Sequence, residues 1–204
     1  MVHVTGEYCP ALEHECLRWL DPDKAIVRRC AEYKRKSQCR SRDTVQLNFC
    51  IDRNEFTKVG EQLPTSDVSW RQAKALCEER GKRLCTEHEW TLACEGPQRL
   101  PYPYGWERDA TRCNIDRQDL LSRGELKDHR KPAADFPGCL SPYGVHNLTG
   151  NVGEWVQIET APPPFRSGGK GGWWGPLRNR CRAVTTGHNE FFHQIQIGFR
   201  CCKS

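Results

Sequence analysis

Thirteen cysteines in 204 residues constrain this chain more than any other feature. They fall at Cys9, Cys16, Cys30, Cys39, Cys50, Cys77, Cys85, Cys94, Cys113, Cys139, Cys181, Cys201 and Cys202. None stands in a C-x-x-C pair, the spacing used by zinc knuckles, iron–sulfur clusters and thioredoxin-type redox sites. Cysteines this dense and this scattered read as disulfides formed outside the reducing cytosol, so the expected location is secreted or periplasmic. An odd count leaves at least one thiol unpaired. That thiol is idle, cross-links, or serves as a nucleophile or ligand.

The length suits one sizeable domain, or a domain with an appended arm. Only 37% of residues are hydrophobic, and the net charge of +5 is too mild for a nucleic-acid signature. No nucleic-acid partner is expected. No apolar run approaches a membrane span. Met1 runs directly into polar sequence, as it would if a leader had been removed. A monomer is expected.

Residues 1–48 are expected to form an irregular arm held by small disulfide loops. Proximity suggests Cys9–Cys16 and Cys30–Cys39. The arm also carries a basic cluster of Arg28, Arg29, Lys34, Arg35, Lys36, Arg40 and Arg42, read either as a solvated face or as a site for an anionic partner. A domain spanning 49–204 would follow, beginning with a short strand at Phe49–Asp52.

Two short amphipathic helices come next. Ser69 opens the first, with Gln72 completing a capping box; Trp70, Ala73, Leu76 and Cys77 form its buried stripe, and Gly81 ends it. Thr86 and Glu89 open the second in the same way. It buries Trp90, Ala93 and Cys94 and stops at Gly96-Pro97. Beyond Pro97 the helix signals vanish and prolines and glycines punctuate the chain with turns. The run Ser167–Trp174, SGGKGGWW, reads as a glycine-rich loop without the phosphate-binding pattern. A last strand is expected over Gln194–Cys201.

The segment Gly144–Trp155, GVHNLTGNVGEW, packs two small polar turns against an acid and a tryptophan. Asn147 and Glu154 offer side-chain oxygens and the main chain at Gly150 and Val152 offers carbonyls, a set suited to a hard cation such as calcium. A glycine-rich turn with a capping Asn and a buried, satisfied Glu explains the same residues. The Asn147-Leu-Thr sequon is a weaker reading, because a glycan needs an exposed asparagine.

The order of segments carries a resemblance. VSWRQAKALCEERGKRLCTEHEW, then YPYGW, CN, SPYGVHNLTGNVGEWV and finally GGWW…RNRCR…GFRCC resemble the formylglycine-generating-enzyme family, the sulfatase-modifying-factor domain. The resemblance runs from Phe49 to Cys202. It implies an α+β fold related to C-type lectins, with little regular secondary structure. It also implies structural calcium on Asn147, the Gly150 and Val152 carbonyls and Glu154, with a second site beginning at Asn114 and Ile115 and continuing near Glu125. The disulfides it implies are Cys77–Cys201 and Cys94–Cys181; Cys85–Cys202 is added because each adjoins a member of the first pair.

One departure bears on function. The family's enzymes hold copper with two cysteines just before the RC element, and copper(I) prefers such soft ligands. The resemblance places those positions at Gly171 and Pro176, so formylglycine formation is not expected. The related sulfoxide synthases build their iron site with an additional helical domain, and that site is not expected here.

Two readings follow. In the first, the scaffold is a binding protein for a protein, peptide or glycan, with Trp173, Trp174, Arg178, Arg180 and Arg182 as its recognition surface; buried core tryptophans are the plain alternative. In the second, the chain is an iron or copper oxidoreductase with a rebuilt site at His188, Glu190 and His193; a surface cluster is the plain alternative there. His146, beside the calcium turn, is read as packing.

Overall fold

The computed structural model describes residues 1–24 and 27–204. Four strands open the chain: β1 (Val2–Tyr8), β2 (Leu12–Trp19), β3 (Cys30–Cys39) and β4 (Val45–Ile51). Helix α1 (Trp70–Glu78), strand β5 (Arg83–Leu84) and helix α2 (Glu87–Glu95) follow. The remainder is short strands between turns: β6 (Leu121–Ser122), β7 (Glu125–Leu126), β8 (Gly153–Gln157), β9 (Ser167–Lys170), β10 (Val184–Thr185), β11 (Ile197–Phe199) and β12 (Cys201–Lys203). Two sheets organise them, in the orders β1-β4-β12-β5 and β10-β9-β8-β11, with separate hairpins β2–β3 and β6–β7. This is a disulfide-rich α+β fold.

Both helices form where their caps predict. Ser69 Oγ accepts the Gln72 N–H while Gln72 returns a bond to the Ser69 N–H; Thr86 and Glu89 repeat the arrangement. Each box satisfies two otherwise orphaned N–H groups. Helix α2 ends at Gly96, whose positive φ of 62° stops the helix without a side-chain clash.

Strand β12 divides the interior. Side chains alternate across a strand, so adjacent Cys201 and Cys202 enter opposite cores. Cys201 joins Trp70, Ala73, Trp155 and Phe199; Cys202 joins Phe49, Ile51, Trp90 and Val156. From these two faces Cys201 bonds Cys77 of α1 and Cys202 bonds Cys85, while Cys94 of α2 bonds Cys181. Two of these crosslinks fasten a helix, and two reach the last strand. Cys113–Cys139 adds a fourth, and Cys50 is the free thiol among the described residues.

The first 48 residues depart from the sequence expectation. They form regular strands: β1 pairs with β4 over its whole length, from Val2↔Ile51 to Tyr8↔Val45. The pairs are Cys9–Cys39 and Cys16–Cys30, not Cys9–Cys16 and Cys30–Cys39. The β2–β3 hairpin explains this, because it brings Leu12 opposite Cys39 and Trp19 opposite Cys30; neighbours across the hairpin lie closer than neighbours along it. Two further elements differ. Ser167–Lys170 is strand β9 rather than loop, since its glycines lie against β8 and β10. The strand expected over Gln194–Cys201 divides at Arg200, where β11 in one sheet gives way to β12 in the other.

Candidate ligand cleft

The polar turn expected at residues 147–154 is present, with Asn147, Gly150 and Asn151 all at positive φ. At Gly150 a side chain is excluded, because a Cβ would lie 2.4 Å from the Asn114 carbonyl oxygen. Behind the turn sits Glu55, only 3% exposed, which the sequence reading did not single out. Its carboxylate accepts from the amides of Asn147 and Asn151, each at 3.0 Å. Burial pushes its carboxyl up to about 8, and the nearby Glu154 charge adds to the effect.

Glu154 is committed. Arg200 donates to both of its oxygens, and Trp90 Nε1 donates to one at 2.6 Å. Asn147 Oδ1, by contrast, is buried without a hydrogen-bond partner among the described residues. That unused oxygen is the feature of the turn that suits a hard cation, whereas Glu154, expected as a ligand, is taken by Arg200. The second calcium position does not fit. Asn114 Oδ1 accepts from the Arg117 guanidinium at 2.9 Å, the Asn114 carbonyl accepts from the Asn151 N–H, and Glu125 lies exposed on β7. A cationic side chain already occupies that acceptor.

A cleft of about 330 Å³ lies beside the β10-β9-β8-β11 sheet, within the size range of small-ligand sites. Gly153 of β8 and Gly169 of β9 line it, so backbone rather than side chains forms this part of the wall. Trp173, Phe192 and Ile197 supply apolar surface, and Arg178 and His188 supply polar groups.

The expected recognition surface is therefore divided. Trp173 and Arg178 line this cleft, whereas Arg180 and Arg182 line a different groove. Trp174 is fully buried, edge-on to Trp173, and is a core residue. The proposed redox trio does not assemble either. Glu190 is buried and its oxygens accept from Arg166 and Arg71, whose guanidiniums, Arg166 foremost, hold it below its ordinary value. His188 stacks on Phe192 at 3.7 Å, and His193 pairs with Asp67 at the surface. Among the described residues no three His, Cys, Asp or Glu side chains converge as a metal site. His146 packs with a buried, unpartnered Nδ1.

Gly171 has φ +76°, and a Cβ there would lie 3.0 Å from the Leu148 carbonyl oxygen and 3.2 Å from the Trp90 ring. A cysteine would be both strained and crowded at this point. Beside it Lys170 is fully buried, its Nζ without a hydrogen-bond partner among the described residues, 5.3 Å from the Trp90 ring centroid and 3.8 Å from Glu87. Burial lowers this amine to about 8. Lys170 and Glu55 escaped the sequence reading for one reason. Each acquires its environment from long-range packing that leaves no local periodicity.

Known proteins place this architecture. The chain is 32% identical over 152 residues to the inactive C-alpha-formylglycine-generating enzyme 2 of Bos taurus, covering 69% of this chain and 50% of the relative. It is 30% identical over 159 residues to the serine/threonine-protein kinase pkn1 of Chlamydia caviae, covering 69% of this chain and 24% of that protein. The chain thus spans half or less of the length of these curated relatives. The crystal structure of CarF shares the fold, with a TM-score of 0.64 at 17% identity over 99% of this chain and 97% of CarF. The profile of the sulfatase-modifying factor enzyme 1-like domain matches residues 16–204. By that match, and by the cap, turn and disulfide framework that underlies it, the chain belongs to the formylglycine-generating-enzyme-like, sulfatase-modifying-factor family.

Proposed function

We infer that this chain is a binding member of its family, one that holds a peptide or small ligand in the cleft beside β9 and does not make formylglycine. The observation that carries this reading is Gly171. Where the resemblance places a copper-binding cysteine, the backbone is left-handed and the space for a side chain is filled by Leu148 and Trp90. The other copper position is Pro176, which has no ligating group. A relative named as an inactive formylglycine-generating enzyme supports the same conclusion.

Trp173 and Phe192 give the cleft apolar walls, and Arg178 a cation. That pairing suits a ligand with an aromatic or aliphatic group beside a carboxylate. The rebuilt redox site is disfavoured because Glu190 already neutralises two arginines. Calcium would serve a structural role, held by Asn147 Oδ1 and the Gly150 and Val152 carbonyls. The six disulfides support a secreted or periplasmic setting.

The test joins two assays on the copper-treated protein. A cysteine-containing sulfatase peptide should emerge unchanged by mass spectrometry. A peptide and metabolite library should yield a ligand whose affinity falls at least tenfold, about 1.4 kcal/mol, in Trp173→Ala. Turnover of the peptide would overturn the reading. For calcium, added ion should raise the melting temperature of the wild type and leave Asn147→Ala unmoved.

A further inference from the structure

A second concavity, of about 660 Å³, lies between the β2–β3 hairpin and the segment around Cys181. Its lining is charged almost throughout. Lys34, Lys36 and Gln38 come from alternate positions of β3 and Arg40 from just beyond its end, Arg180 and Arg182 come from across the groove, and Glu13 and Glu15 of β2 lie among them. Alternate residues of a strand share a face and repeat at about 7 Å, so β3 presents Lys34 and Lys36 side by side on the groove, with Gln38 next in the row.

Not all of this charge is spent internally. Lys34 pairs with Glu15, Arg40 with Glu13, and Arg182 with the buried Glu95. Lys36 and Arg180 have no carboxylate within 4.0 Å among the described residues. Arg180 donates from one Nη to the Tyr33 hydroxyl, and among the described residues its buried Nε has no hydrogen-bond partner. The frame is rigid: Cys9–Cys39 and Cys16–Cys30 clamp the hairpin, and Cys94–Cys181 anchors the facing segment between the two arginines. Arg182 also donates to the Cys9 carbonyl, joining the two walls. A preorganised site loses little entropy when it binds.

We propose that this groove binds an acidic glycan, a linear sugar chain carrying sulfate or carboxylate groups. Lys36 and Arg180 take the anionic groups, and Glu13, Glu15 and Gln38 accept from sugar hydroxyls. A sugar chain offers the two glutamates hydroxyl donors along its whole length, which a DNA backbone does not. Nor does the groove offer an exposed aromatic on which bases could stack; Tyr33, beneath Arg180, is buried. Leu12 is the single aliphatic residue in the lining, which leaves little to anchor the side chains of an acidic peptide.

The probes are a labelled heparin-derived octasaccharide and a polyuronate of the same length. Neutral dextran, polyglutamate and single-stranded DNA are the comparisons. Fluorescence anisotropy should show binding of at least one acidic glycan that weakens with salt. It should fall about tenfold in Lys36→Glu and in Arg180→Gln, with thermal melting confirming that each variant is folded. Lys36 is exposed, so its variant carries the test if Arg180→Gln does not fold. Binding of both acidic glycans no tighter than dextran, or unchanged in Lys36→Glu, overturns the proposal. Tighter binding of polyglutamate or DNA overturns it in favour of a peptide or nucleic-acid site.

Discussion

Arg200 and Glu154 form a bidentate ion pair, with both bonds at 2.6 Å and neither side chain more than 1% exposed. The remaining Arg200 donors reach the carbonyls of Asp52, Arg53 and His146. One guanidinium thus joins the end of β4, the approach to the polar turn and strand β8, at the point where the chain leaves one sheet for the other. Removing one partner leaves a buried charge uncompensated, which typically costs 3–5 kcal/mol. Glu154→Ala should lose roughly that much in urea denaturation with disulfides intact. The double variant Glu154→Leu, Arg200→Met should lose less than the sum of the single changes, because it buries no orphaned charge.

Lys170 is the residue opposite Glu154 in the β8–β9 register, yet among the described residues its side chain has no hydrogen-bond partner. Burial lowers its amine from 10.5 to about 8. Between those values the unfolded chain binds a proton that the folded chain does not, so stability should rise as pH increases from about 8 towards 10.5. Below about 8 the buried ammonium is a full liability, offset in part by Glu87 and the Trp90 ring. Lys170→Met should therefore stabilise the protein at pH 7, by roughly 1–3 kcal/mol, and should flatten the alkaline rise. Thermal melts at pH 7 and pH 9 check both.

His14 gives the hairpin a dependence of the same sign in a lower pH window. Its imidazole is packed near Tyr33 and Trp106 and bonds the Arg99 carbonyl at 2.7 Å. Burial lowers it from 6.5 to about 4, against the pull of that carbonyl. Within this window the unfolded state holds the extra proton, so stability present above pH 6.5 is lost as pH falls towards 4. The loss should reach up to about 3 kcal/mol. His14→Gln, which keeps a donor for Arg99 and cannot titrate, should remove this part of the acid sensitivity in denaturation curves at pH 7 and pH 4.5.

Local patterns were legible where one segment decides its own structure. Ser69 with Gln72, and Thr86 with Glu89, declare their helices because the capping partners lie three residues apart. The turn at Asn147–Gly150 declares itself through residues that tolerate positive φ. Cys85–Cys202 follows from adjacency to the pair Cys77–Cys201, which the resemblance supplied. What failed depended on distant strands. Cys9 meets Cys39 only because β2 and β3 pair, and Glu55 meets Asn147 only because β4 delivers it behind the turn. His188 and His193 are five residues apart in sequence, but one turns to Phe192 and the other to Asp67. Spacing in an irregular segment fixes no direction, so the redox trio had no geometric basis.

Gly171 and Pro176 are the positions at which a copper pair would have to be rebuilt, and the surroundings of Gly171 oppose it. A non-glycine residue in the left-handed region costs roughly 1–2 kcal/mol. Overpacking against Leu148 and Trp90 adds a further 1–3 kcal/mol. Gly171→Cys should therefore destabilise the protein by roughly 2–5 kcal/mol in total. Trp90 cannot withdraw freely, because its Nε1 is bonded to Glu154, which is itself held by Arg200. The double variant Gly171→Cys, Pro176→Cys should consequently melt at a lower temperature than Pro176→Cys alone. It should also bind copper(I) no more tightly than Pro176→Cys, as read by competition with a chromophoric chelator. A folded double variant with tight copper binding would show instead that the scaffold kept room for the metal, and that these two side chains alone separate it from the copper enzymes.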